Sequence, residues 1–75
     1  MAVEKRFSQI LALNSYYSWK VYEIYDCKGF QFLLAEPIGA TGMGTKTAKT
    51  INELYTILQK DVIFMNYVHK HEKIR

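Results

Sequence analysis

The stretch GATGMGTKT, residues 39–47, carries the spacing that comes nearest to a chemical motif. A phosphate-binding loop reads G-x-x-x-x-G-K-[ST], with the lysine directly after the last glycine so that it reaches the terminal phosphates while backbone N–H groups wrap the others. Gly39 and Gly44 have the right separation, but Thr45 intrudes and Lys46 falls one residue late. On a helix that displacement turns a side chain by about 100°. Too few residues follow Thr47 to build the parallel strands and the magnesium-holding aspartate that nucleotide hydrolysis needs, so no nucleotide is expected.

Other reactive residues form no complete set. Cys27 could act as a nucleophile with His69 or His71 as base, but nothing in the spacing brings them together, and its turn position reads as an incidental thiol. The two histidines would share one side of a strand but stand about 200° apart on a helix, so no metal is expected. Glu23 has no second acid placed to complete a catalytic pair. The chain reads as a non-enzyme without a cofactor.

Cations near the same loop suggest a different chemistry. Glu36 and Glu53 bracket an acid-free stretch that holds Lys46 and Lys49 just ahead of a predicted helix N-terminus, where backbone donors and the helix dipole favour anions. With Lys70, Lys73 and Arg75 they could form a phosphate footprint. GMGTKTAK also resembles the opening of the last helix of the double-stranded RNA-binding domain, G-x-G-x-S-K-K-x-A-K, with Gly42, Gly44, Lys46, Ala48 and Lys49 on the pattern. That resemblance implies phosphate contacts from Lys46 and Lys49 across a major groove. Thr45 stands in place of the first lysine of the pair, Ile51 and Asn52 stand where that family prefers small residues, and the match spans eight residues.

The elements that must position these residues are few. Seventy-five residues make a single domain, residues 1–75, with one thin core and a tail from about residue 70 that is expected to fray. One cysteine excludes an internal disulfide and suits a reducing compartment. MAVEKRF lacks the apolar run of a signal peptide and no apolar segment is long enough to span a membrane, so a soluble cytoplasmic protein is expected. The net charge of +3 accommodates an acidic partner without demanding one. One Trp, six Tyr and four Phe are more aromatic rings than so small a core can hide.

Val3, Phe7, Ile10 and Leu11 recur at i, i+4, i+7 and i+8, which predicts a helix over about 3 to 13, stopped at Asn14. From Tyr16 to Asp26 the period falls to two and predicts a strand. DCKG reads as a type I turn, and FQFLLAE as the returning strand of a β-hairpin that Pro37 ends. Pairing Tyr25 with Phe30 and continuing without interruption puts Trp19, Val21, Tyr25, Phe30, Phe32 and Leu34 on a core side. Tyr16, Lys20, Tyr22, Ile24, Gln31 and Leu33 then share the other. The connection over 37–49 has room for a short third strand. TINE at 50–53 matches a capping box and starts a helix running to about residue 70, with VIFMNYV as a strand the competing reading.

The expected fold is therefore α+β: helix, antiparallel hairpin with room for a third strand, then helix, both helices on one side of the sheet. The uncovered side is too apolar to meet only water. Its Tyr16, Lys20, Tyr22, Ile24 and Leu33 point to a protein-interaction module, an inhibitor or adaptor that associates with itself or with a larger protein. The alternative is a nucleic-acid-binding domain acting through Lys46, Lys49, Lys70, Lys73 and Arg75.

Overall fold

The computed structural model describes residues 3–39 and 43–72, with side chains through residue 64. Four strands and one helix follow one another as β1 (Glu4–Ala12), β2 (Ser18–Asp26), β3 (Gly29–Pro37), β4 (Lys46–Ala48) and α1 (Ile51–Glu72). The strands form one antiparallel sheet in the order β1-β2-β3-β4. The short third strand anticipated in the 37–49 connection is β4.

The expected order of helix, hairpin, helix is overturned at its first element, because residues 4–12 are a strand. A bulge explains the misleading pattern. Phe7 pairs with Tyr22 and Gln9 with Val21, so Ser8 has no cross-strand partner. An extra residue shifts the two-residue alternation by one. Phe7 and Ile10, three apart in sequence, therefore lie on the same side of the sheet, opposite Tyr22 and Lys20, and Leu11 lies on the other, opposite Trp19. Spacing of this kind imitates a helical stripe. Asn14 does not end a helix either: its Oδ1 accepts from the backbone N–H of Tyr16 (2.8 Å) and Tyr17 (2.9 Å), forming the turn into β2. β2 starts at Ser18, two residues later than expected, which leaves Tyr16 in the turn.

A second bulge reverses the expected sides of β3. Tyr25 does face Phe30, but the next pair is Ile24 with Phe32, and Gln31 is skipped. Asp26 organises the corner: its Oδ1 accepts from the backbone N–H of Lys28 at 2.7 Å and from Gln31 Nε2 at 3.0 Å. Gly29 has φ of 111°, a conformation that strains any residue with a Cβ. Beyond the bulge Glu23 faces Leu33, Val21 faces Ala35 and Trp19 faces Pro37. Because side chains alternate, this one-residue slip moves Leu33 and Ala35 inward and Phe32 and Leu34 outward.

The core lies on the side that α1 covers. Trp19, Val21, Leu33 and Ala35 from the sheet and Tyr17 from the turn pack with Leu54, Leu58 and Val62 of α1, with Leu11, Leu13, Met43, Ala48 and Ile51 at the margin. Leu54, Leu58 and Val62 are four residues apart and line one stripe of the helix. Thr50 caps it, its Oγ1 accepting from the backbone N–H of Glu53 at 3.1 Å. The helix packs on β3 and β4 and continues through VIFMNYV, which excludes the competing strand. It leaves the first part of β1 uncovered, and the α1 side there is correspondingly polar, with Glu4, Arg6 and Gln9 in register with Tyr25, Glu23 and Val21, whereas Leu11 reaches the core margin.

Candidate functional site: the open side of the sheet

The strand registers gather the opposite side into rows. Lys5, Ile24 and Phe32 form one row across β1, β2 and β3. Phe7, Tyr22, Leu34 and Thr47 form the next, across all four strands. Ile10, Lys20 and Glu36 form the third. Among the described residues no helix lies over these rows.

The two bulges create this surface. Without the bulge at Ser8, Phe7 and Ile10 would lie on opposite sides. Without the bulge at Gln31, Phe32 and Leu34 would turn toward α1. Phe7 and Ile10 remain more than half exposed, at 57% and 56%. Tyr22, Phe32 and Leu34 are half-buried, and Ile24, between Lys5 and Phe32, is buried.

Aromatic and charged contacts hold the surface in a defined form. The Phe7 and Tyr22 rings meet edge to face with centroids 5.8 Å apart. Lys5 Nζ stands 4.3 Å from the Tyr22 centroid and reaches across β2 to donate to Glu36 Oε2 at 2.7 Å. That hydrogen bond to Glu36 raises the Lys5 ammonium above the ordinary lysine range. Lys20 lies between Ile10 and Glu36, is exposed, and has no ion pair among the described residues. The result is an apolar centre with two cations and one carboxylate, one cation being uncommitted.

The five residues expected to share the open side are not all together. Lys20, Tyr22 and Ile24 are on it. Tyr16 is in the β1–β2 turn, 82% exposed. Leu33 is buried under α1, because the Gln31 bulge reverses its side. Sequence reasoning missed Phe7, Ile10, Phe32, Leu34 and Lys5. The signal for the second bulge was present in the glycine of DCKG, a common source of a bulge after a type I turn.

The cations of the alternative reading are directed elsewhere. Lys46 is in β4, not at a helix N-terminus, and its Nζ pairs with Asp61 Oδ2 of α1 at 3.3 Å. Lys49 Nζ donates to the backbone carbonyl of Gln31 at 2.5 Å. The side chain of Lys70, and all of Lys73 and Arg75, lie outside the described residues. Lys46 and Ala48, which the RNA-binding resemblance sets in the opening of the last helix, lie in β4, and α1 begins at Ile51.

A second polar group occupies the uncovered end of the α1 side. Arg6 stacks over the Tyr25 ring, 4.3 Å from its centroid, and pairs with Glu4. The Tyr25 hydroxyl donates to Glu23 at 3.0 Å, and this bond is the main cause that raises its pKa above the usual tyrosine value. Glu23 is thus a half-buried structural acceptor. Cys27 is exposed at the hairpin tip. Between α1 and the β1–β2 turn, Leu13, Asn14, Tyr55, Gln59, Val62 and Ile63 line a groove of about 190 Å³, smaller than ordinary small-molecule sites.

No protein-family model, curated protein sequence or solved structure matches the chain. Among the described residues, no helix is long and apolar enough to cross a membrane.

Proposed function

We propose that this protein is a binding module, not a catalyst, and that it acts by docking the open side of its sheet against another protein surface. The observation that carries this reading is the uncovered row Phe7, Tyr22, Leu34 with Ile10 and Phe32 beside it, edged by Lys5, Lys20 and Glu36. Contiguous apolar surface rimmed by polar residues is characteristic of protein contact sites. Aromatic anchors held in place by their own neighbours lose little side-chain entropy on binding.

An inhibitor or adaptor role fits a surface of this kind, and an intracellular site of action fits the single cysteine.

Phosphate binding through Lys46 and Lys49 is the weaker reading, since it would have to break the contacts with Asp61 and the Gln31 carbonyl. The test is capture of polypeptides, this chain included, from an extract of the source cells by the tagged protein, beside a Phe7→Ser/Leu34→Ser variant. The variant should retain its circular dichroism and lose the captured polypeptide. Equal capture by both proteins, or capture of nucleic acid alone, would overturn the reading.

A further inference from the structure

The open side places opposite charges next to each other on neighbouring strands. Lys20 of β2 and Glu36 of β3 are direct cross-strand partners. Tyr22 and Leu34 are the next such pair on this side, and Ile24 and Phe32 the one after. Each of these three pairs straddles the line between β2 and β3.

Consider a two-fold axis parallel to that line, lying between two copies of the sheet stacked face to face. The rotation exchanges β2 with β3. Lys20 of each copy then faces Glu36 of the other, Tyr22 faces Leu34, and Ile24 faces Phe32, each contact occurring twice. The same operation sets Phe7 of β1 against Thr47 of β4, the member of its row at the far side of the sheet. Sheets stacked in this way lie about 10 Å apart, with strands inclined by about 30°. A lysine chain spans the offset that this inclination introduces.

We infer that the occupant of the open side is a second copy of this chain, packed face to face about a two-fold axis between β2 and β3, with Lys20 of each copy against Glu36 of the other. The inference rests on the protein-contact reading and deepens it. Charge complementarity selects the occupant: the cation left uncommitted within one copy meets the carboxylate of the next, in both directions at once. Isologous packing requires this self-complementarity.

The area fixes the strength to expect. The operation lays β2 and β3, about 23 Å long and about 10 Å across, on their counterparts and adds only the Phe7–Thr47 contact on each side, so two ridged copies hide on the order of 800 Å² in total, below the usual range for a stable interface. The dimer is accordingly weak and reversible.

Sedimentation velocity of the purified chain, from micromolar to near-millimolar concentration, tests the inference. The weight-average mass should rise from one chain toward two. Lys20→Glu and Glu36→Lys should each weaken self-association by roughly tenfold or more, because each sets like charges face to face twice. An equimolar mixture of the two variants should recover the dimer as a heterodimer, since the two introduced charges are opposite and face each other, while the retained Glu36 of one variant meets the retained Lys20 of the other. Thermal melts confirm that each variant folds. Thr47→Glu, which alters an exposed residue, leaves Glu36 with Lys5 and sets a carboxylate against the ring of the partner's Phe7, is a second disruption that should weaken the dimer without lowering the melting midpoint.

A wild-type chain that stays monomeric throughout, a dimer indifferent to both charge variants, or a mixture that fails to recover would overturn the inference. In the first case, loss of capture on Phe7→Ser/Leu34→Ser would leave the protein-contact reading standing with a foreign partner. Unchanged capture would remove both.

Discussion

The two sides of this sheet are built from the same strands and nearly the same residue types, yet one is a core and the other a surface. On the α1 side Trp19, Val21, Leu33 and Ala35 meet Leu54, Leu58 and Val62 and are all buried. On the open side Phe7 and Ile10 are exposed and Tyr22, Phe32 and Leu34 half-buried, with no helix over them among the described residues. What separates them is α1, which among the described residues packs on one side of the sheet only. Apolar content alone therefore does not define a core; a second layer has to be available to cover it.

Breaking the comparison at its strongest point gives the largest effect. Trp19→Ala removes the largest fully buried side chain and should cost about 3–5 kcal/mol, a large share of the roughly 4–11 kcal/mol expected of a domain this size. Phe7→Ala should cost about 1 kcal/mol, mostly its edge-to-face contact with Tyr22. Urea denaturation of both variants measures the contrast, and similar losses would mean that the open side shares in the core.

Leu33 and Leu34 sharpen it, being the same residue type one position apart. Leu33→Ala should lose about 2–5 kcal/mol, while Leu34→Ala should lose about 1 kcal/mol and mainly affect association. The reverse order in the same denaturation experiment would place the bulge elsewhere than Gln31. The smallest effect belongs to the start of the covering layer: Thr50→Ala removes the cap bond to Glu53 and should lower stability by about 1 kcal/mol. A loss near zero in thermal melts would show that the first turn of α1 is held by Ile51 and Leu54 alone.

The legible parts of the fold were those in which one period runs without interruption. The hairpin turn, the closing Pro37, the Thr50 cap and the long last helix could all be read from residue types and spacing. Both misreadings arose where a bulge inserts a residue. At Ser8 it turned an alternating strand into the i, i+3 spacing of Phe7 and Ile10, and a strand looked like a helix. At Gln31 it exchanged Leu33 for Leu34, so the expected contact surface acquired a core residue and lost Phe32 and Leu34. Tyr16 was misplaced for a different reason: the Asn14 side chain makes a turn that periodicity does not register. Of the candidate site, Lys20, Tyr22 and Ile24 were legible because β2 keeps its alternation from Ser18 onward.

The Gln31 bulge also determines which errors this hairpin can absorb. Residues 32 to 35 alternate between two apolar pairs, either of which could fill a core, so side-chain chemistry alone barely distinguishes the inward pair from the outward one. Corner length does the choosing, much as a reading frame selects one message from overlapping text. Substitutions between residues 27 and 31, Gly29 excepted, should thus be tolerated far better than the loss or gain of a single residue there, which would turn the whole of β3 inside out.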